Sequence, residues 1–136
     1  MTPHKWRTFG LWTLAILYAV AGYFHLTTPD PFISITPQWV PFPTTVIFWT
    51  GLAEIAGAAG LIQPFSAALR RAAGIGLALY AICVFPANIH HFIMDMHRAD
   101  HGFGLGYHIP RMLLQPVLVW LALWVSGVTD WPFRRR

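Results

Sequence analysis

The sequence carries little charge: Asp, Glu, Lys and Arg make up 10% of its 136 residues, while 56% are apolar. Soluble domains carry about 25% charged residues, so water is a poor solvent for this chain. Acidic residues are scarcest, five in all. The single cysteine, Cys83, excludes an internal disulfide and any dithiol pair within one chain. The sequence contains no glycine-rich phosphate loop, no plausible serine triad, no internal repeat and no low-complexity tract. No covalent or nucleotide cofactor therefore has a motif to hold it. The net charge of +4 does not indicate nucleic acid, because the basic residues flank apolar runs rather than forming a stripe.

What the chain has in quantity is long apolar runs. Four of them, near 9–24, 44–62, 72–93 and 112–128, approach the ~20 residues that cross a hydrocarbon core. The expected fold is all-α, one domain over residues 1–136. It is a bundle of four transmembrane helices at about 8–26, 44–63, 68–93 and 108–128. The basic start, apolar run and Ala19-Val20-Ala21 also resemble a secretory signal. Further apolar spans follow, so the run is read as a retained first helix. Between the first two helices lie Pro29, Pro31, Pro37, Pro41 and Pro43, among Phe32, Ile33, Ile35, Trp39 and Phe42. Such a segment is too broken to span and too apolar to float free. It is expected to lie at the membrane interface or fold back as a lid, with Trp39 at headgroup level.

A few polar residues fall at membrane depth. Glu54 stands ten residues into the second apolar run, sharing a face with Thr50, Gly51, Gly57 and Ala58. Ionisable groups at that depth face the bundle interior and take partners. Ala53/Gly57 and Ala56/Gly60 have the small-xxx-small spacing of close helix contacts. His25 ends the first helix on the face of Tyr18, Ala21 and Gly22. In the third helix, Pro86 removes a backbone donor and frees the carbonyl of Ile82, and Asn88 follows half a turn later. Pro110 suits the first turn of the fourth helix, where Arg111 and Gln115 share a face. His25, Glu54, Asn88, Arg111 and Gln115 are the candidate ligand-binding set, and the catalytic candidates are Glu54 as acid or base and Arg111 as its counter-ion. Depth along the helix axes places all five in the same half of the bundle, and Glu54 and Arg111 are expected to pair, directly or through Gln115 or a water. A role confined to fixing helix packing fits Glu54 equally well.

Five of the seven histidines lie between His90 and His108. His91/Asp95 and His97/His101 have i, i+4 spacing, which suits Zn²⁺ or copper if the helix extends that far. The set matches no closed metal motif, and Gly102, Gly104 and Gly106 break the stretch. A solvated polar loop without stoichiometric metal is the expectation. His91, Asp95, His97 and His101 are the metal candidates should it fail.

With these residues placed, the chain resembles the DoxX family of small membrane proteins. The resemblance rests on His25 after Ala21-Gly22-Tyr23-Phe24 and on Pro37-Gln38-Trp39-Val40-Pro41. It also rests on Gly51-Leu52-Ala53-Glu54-Ile55-Ala56-Gly57, Val84-Phe85-Pro86-Ala87-Asn88, and Arg111-Met112-Leu113-Leu114-Gln115 followed by tryptophans. It implies a four-helix fold in a bacterial cytoplasmic membrane and a quinone-linked redox accessory role, with a quinone or other hydrophobic molecule and other membrane or redox subunits as partners. The histidine-rich stretch is not part of the resemblance. Three functions follow as expectations: a subunit binding a hydrophobic ligand, a non-catalytic assembly or chaperone-like protein, and a metal-handling protein using 90–108. Homo-oligomerisation is compatible with each, and no residue pattern assigns a reaction. Lys5, Arg7, Arg70, Arg71 and Arg134 to Arg136 fall on one side of the four spans, with only Arg98 and Arg111 on the other. The positive-inside rule places both termini in the cytoplasm.

Overall fold

The computed structural model describes residues 3–133, so Arg134 to Arg136 of the basic tail lie outside the described residues. It is all-helical: α1 (Pro3–Thr27), a short α2 (Asp30–Ser34), α3 (Pro43–Ile62), α4 (Ala67–His97) and α5 (Leu105–Val125). Four of these, all but α2, are long and apolar enough to cross a membrane, the signature of an integral membrane protein. They form a ring in which α1 packs on α3, α3 on α4, α4 on α5 and α5 back on α1, most extensively between α1 and α3.

α1 begins at Pro3 rather than near residue 8, and boundaries also differ at the histidines. α4 runs four residues past the expected end to His97, and α5 starts three residues early at Leu105. Pro110 therefore lies in the second turn of α5 rather than its first. The extension holds because Asp95, on the last turn of α4, is buried against partners from the following loop and from α5.

One end of the bundle is densely packed. Leu14, Ala15, Tyr18, Ala58, Leu61, Leu77, Ala78, Ala122, Trp124 and Val125 form a single core there. Glycines set the helix spacing: a Cβ on Gly60 would come within 2.7 Å of Ala73 Cβ, and one on Gly57 would press equally hard on Leu77. Both are among the residues whose spacing predicted close contact; Ala53 and Ala56, which share it, are exposed. Side chains tie off the helix ends here, where backbone carbonyls lack intrahelical donors. Arg7 donates to the carbonyls of Trp124 (2.8 Å) and Thr129 (3.0 Å) and pairs with Asp130 at 2.7 Å. Arg70 donates to the carbonyls of Leu61 (3.0 Å) and Gln63 (2.8 Å). The Gln63 side chain clamps the α3–α4 turn, accepting from Phe65 and Ser66 while donating to Gly60 and Ser66 carbonyls. Ser66 caps α4 by accepting from Leu69 N–H.

The other end is loosely filled and closed by the proline-rich segment. α2 and the turns after it fold over the bundle, held by two histidines. The His25 ring stacks on Phe32 with centroids 3.9 Å apart, and His90 Nδ1 donates to the Ile35 carbonyl at 2.9 Å. The segment meets α3 at Phe42, whose φ of +50° is a left-handed conformation that a bulky residue seldom adopts.

Candidate functional site

Beneath this lid lies a cavity of about 530 Å³. Its walls come from every element: Leu17, Tyr18, Ala21 and His25 of α1; Phe32 of α2 with Ile35, Thr36, Pro37, Trp39 and Val40 of the lid; Ile47, Thr50 and Glu54 of α3; Tyr80, Cys83 and Asn88 of α4; Arg111, Leu114 and Gln115 of α5. All five ligand-binding candidates, His25, Glu54, Asn88, Arg111 and Gln115, line it.

Glu54 is positioned by a close crossing of α1 and α3. A Cβ on Gly22 would meet the Gly51 carbonyl at 2.7 Å, and one on Gly51 would meet His25 Cβ at 2.9 Å. These two glycines bring α1 against α3 and set His25 beside Glu54. His25 Nδ1 lies 2.9 Å from the Ala21 carbonyl and 2.7 Å from Glu54 Oε2. One N–H serves one acceptor well, and the Ala21 carbonyl takes it. Glu54 Oε2 is close to the ring but off its donor axis, and it is a buried oxygen without a hydrogen bond. Such an atom in a residue only 3% exposed is costly to maintain. Tyr80 of α4 approaches the same carboxyl group and Thr50.

The opposite wall is an amide cluster and a cation. Asn88 Nδ2 donates to Gln115 Oε1 at 3.0 Å, and Gln115 Nε2 donates to the Ala81 carbonyl. Ala81 immediately precedes Ile82, whose carbonyl Pro86 leaves without its helical donor, so the amide sits where the α4 backbone is weakest. Arg111 does not pair with Glu54. Its guanidinium donates to His91 Nδ1 at 2.9 Å and lies 5.6 Å from the Tyr107 ring centroid. Among the described residues no carboxylate forms an ion pair with it. The expected Glu54–Arg111 pair fails because a second acidic group, Asp95, draws the local network away. Gln115 is committed to Asn88 and Ala81 and bridges nothing between them.

Asp95 also corrects the expectation of a solvated loop over 90–108. His108 Nε2 donates to Asp95 Oδ2 at 2.9 Å, Phe103 N–H donates to the same oxygen at 3.0 Å, and His91 Nε2 lies 3.5 Å away. Gly102, at φ +52°, packs so closely on this carboxylate that a Cβ has no room. His108 is 1% exposed. His91, Asp95 and His108 thus bring three metal-ligating atoms within 4.8 Å of one another. His97 and His101 do not join them; both are exposed, with His97 bonded to the Ile93 carbonyl. The donor set suits a divalent ion, but its outer contacts do not. A ligating histidine normally donates its second N–H to an acceptor, whereas His91 Nδ1 faces the Arg111 donor and must itself accept. His91 Nε2 then carries the proton and points it at Asp95. The arrangement is a charge-balanced relay, Arg111–His91–Asp95–His108.

Beyond the relay, Arg98 and Asp100 form an exposed pair at 3.0 Å. With the Gly102 N–H it holds the Asp100 carboxyl down to about 2.

Three members of the site were not singled out by the sequence reading: Tyr80, Thr50 as a cavity group, and His108. Tyr80 stands eight residues before Asn88, a little over two turns, and His108 three before Arg111, so helical spacing carried a signal for both. No curated protein and no solved structure matches the chain significantly. A family model described as a domain of unknown function (DUF8561) matches residues 14–126, from the first core leucine to the end of α5. The chain belongs to the DUF8561 family.

Proposed function

We propose that this protein binds a hydrophobic small molecule inside the membrane and holds its polar end between Glu54 and Arg111. One observation carries the reading: a cavity of about 530 Å³ between the four candidate membrane spans has an acidic and a basic side chain in its wall that do not pair with each other. Groups of this kind inside a membrane mark ligand or proton pathways. Glu54 acts as acid or base or as acceptor, Arg111 as donor to a carbonyl or anion, and His25, Asn88 and Gln115 as orienting groups. The DoxX resemblance extends the proposal to a quinone-linked redox accessory subunit in a bacterial cytoplasmic membrane, with both termini cytoplasmic. The protein purified without added ligand, then extracted with organic solvent and analysed by chromatography, should release a quinone or a related isoprenoid ring compound. An extract of bulk phospholipid alone would rule out the quinone-linked reading.

A scaffolding role is favoured by a different observation. Asn88, Gln115, His91, Asp95 and His108 satisfy one another and join α4 to α5. In that reading the same residues hold helices in register for assembly with other membrane subunits, and replacing Glu54 leaves complex formation intact.

A further inference from the structure

The cavity is not equally closed on all sides. α1 and α5 meet where Gly10 lies against Leu121, Trp124 and Val125, and a Cβ there would come within 3.1 Å of Val125 Cγ1. Two turns further along the same face of α1, Leu17 lines the cavity yet is 55% exposed. Across from it on α5, Leu114 also lines the cavity and is 53% exposed. The α1–α5 seam is close-packed at Gly10, and toward the lid its edges are two leucines that both line the cavity and are exposed on the outer surface of the bundle. Behind them stand two polar groups that do not pair with each other, Glu54 with one oxygen that has no hydrogen bond and Arg111 bonded to His91 Nδ1.

We propose that this seam is a lateral entrance through which a single-tailed amphiphile enters from the bilayer. Its tail lies between Leu17 and Leu114, and its head presents both a hydrogen-bond donor and an acceptor. The inference rests on the ligand-binding reading above and adds route and head-group chemistry to it. The donor answers Glu54 Oε2, and the acceptor takes a free N–H of Arg111. A phosphate head would satisfy Arg111 but set its charge against the Glu54 carboxylate in a site of low dielectric. A neutral hydroxylated ring meets both groups. Entry from the bilayer suits the seam, because leucine edges admit an apolar tail without desolvating a polar group.

The test uses the full chain in phospholipid nanodiscs with two radiolabelled probes, decylhydroquinone and decyl phosphate. Decylhydroquinone should bind saturably, at least tenfold tighter than decyl phosphate. Leu17→Trp and Leu114→Trp fill the seam from either side and should each slow association at least tenfold. Leu113→Trp, at a position 67% exposed and outside the cavity, should leave it unchanged. Circular dichroism confirms folding of each variant, and either seam variant suffices if the other misfolds. Seam variants that bind as fast as Leu113→Trp overturn the entrance and leave the ligand reading standing. Preference for decyl phosphate overturns the head-group assignment. Wild-type protein that binds neither probe overturns this inference together with the reading beneath it.

Discussion

Asp95 is the residue on which the lid end of α4 and α5 depends. Its carboxylate accepts from Phe103 N–H and His108 and faces His91. Asp95→Asn keeps the shape but turns an amide donor toward existing donors, and should cost about 1–3 kcal/mol in thermal unfolding. A double-mutant cycle of Asp95→Asn with His91→Ala should show coupling of at least about 0.5 kcal/mol. The cycle of Glu54→Gln with Arg111→Gln should be additive within about 0.5 kcal/mol. A larger coupling there would restore the ion pair that depth arithmetic predicted. Depth was legible from the sequence, since rise per residue fixes it. The choice of partner was not, because the loop that returns Phe103 and His108 to Asp95 is non-local. The Arg98–Asp100 pair contributes to the acid response of this loop. With the folded carboxyl depressed to about 2, its contribution is fully present above the ordinary carboxylate range and is lost as pH falls toward 2. Protection factors of the loop amides, corrected for the intrinsic pH dependence of exchange, should therefore stay constant from pH 5 to 8, and a loss of protection near pH 4 would contradict the pairing.

At the scale of the helices, glycine decides where elements touch. Gly22→Ala would drive a Cβ into the Gly51 carbonyl and Ile55, at 2.7 and 2.8 Å. It should separate α1 from α3 and cost about 1–3 kcal/mol, as overpacking does. Gly76→Ala enters open space on α4 and should be neutral or stabilise by about 0.5–1 kcal/mol, because alanine favours the helix. Equal thermal shifts for the two variants would show that the α1–α3 crossing is not tight. The four spans could be read from their apolar runs, and the inward faces of α1 and α3 from their small residues. The ends of α4 and α5 could not, because apolar periodicity stops at Ile93 while the helix is carried on to His97 by the buried contacts of Asp95. The proline-rich segment was legible as non-spanning. Its closure over the cavity depends on His25 stacking with Phe32 and His90 reaching Ile35, contacts that no local pattern encodes.

The whole molecule is asymmetric from end to end. Its packed end is tied by Arg7, Arg70 and Gln63, and its other end is hollow beneath the lid. The basic residues concentrate at the packed end, so reporter fusions at the C-terminus and at Gly102 should report opposite sides, with the C-terminus cytoplasmic. A periplasmic C-terminus would invert the orientation. After chelator washing, elemental analysis should find less than one transition metal per chain, because His91 spends its lone pair on Arg111. Stoichiometric metal lost on His108→Ala would contradict the relay. If the hollow end holds a lipid-phase molecule by its polar head, native mass spectrometry of the wild-type chain beside Glu54→Gln will show it. About one small amphiphile should be retained per wild-type chain and be depleted in the variant, with both proteins folded; bare chains in both samples, or the same bulk phospholipid on each, would show that the hollow end holds no such molecule.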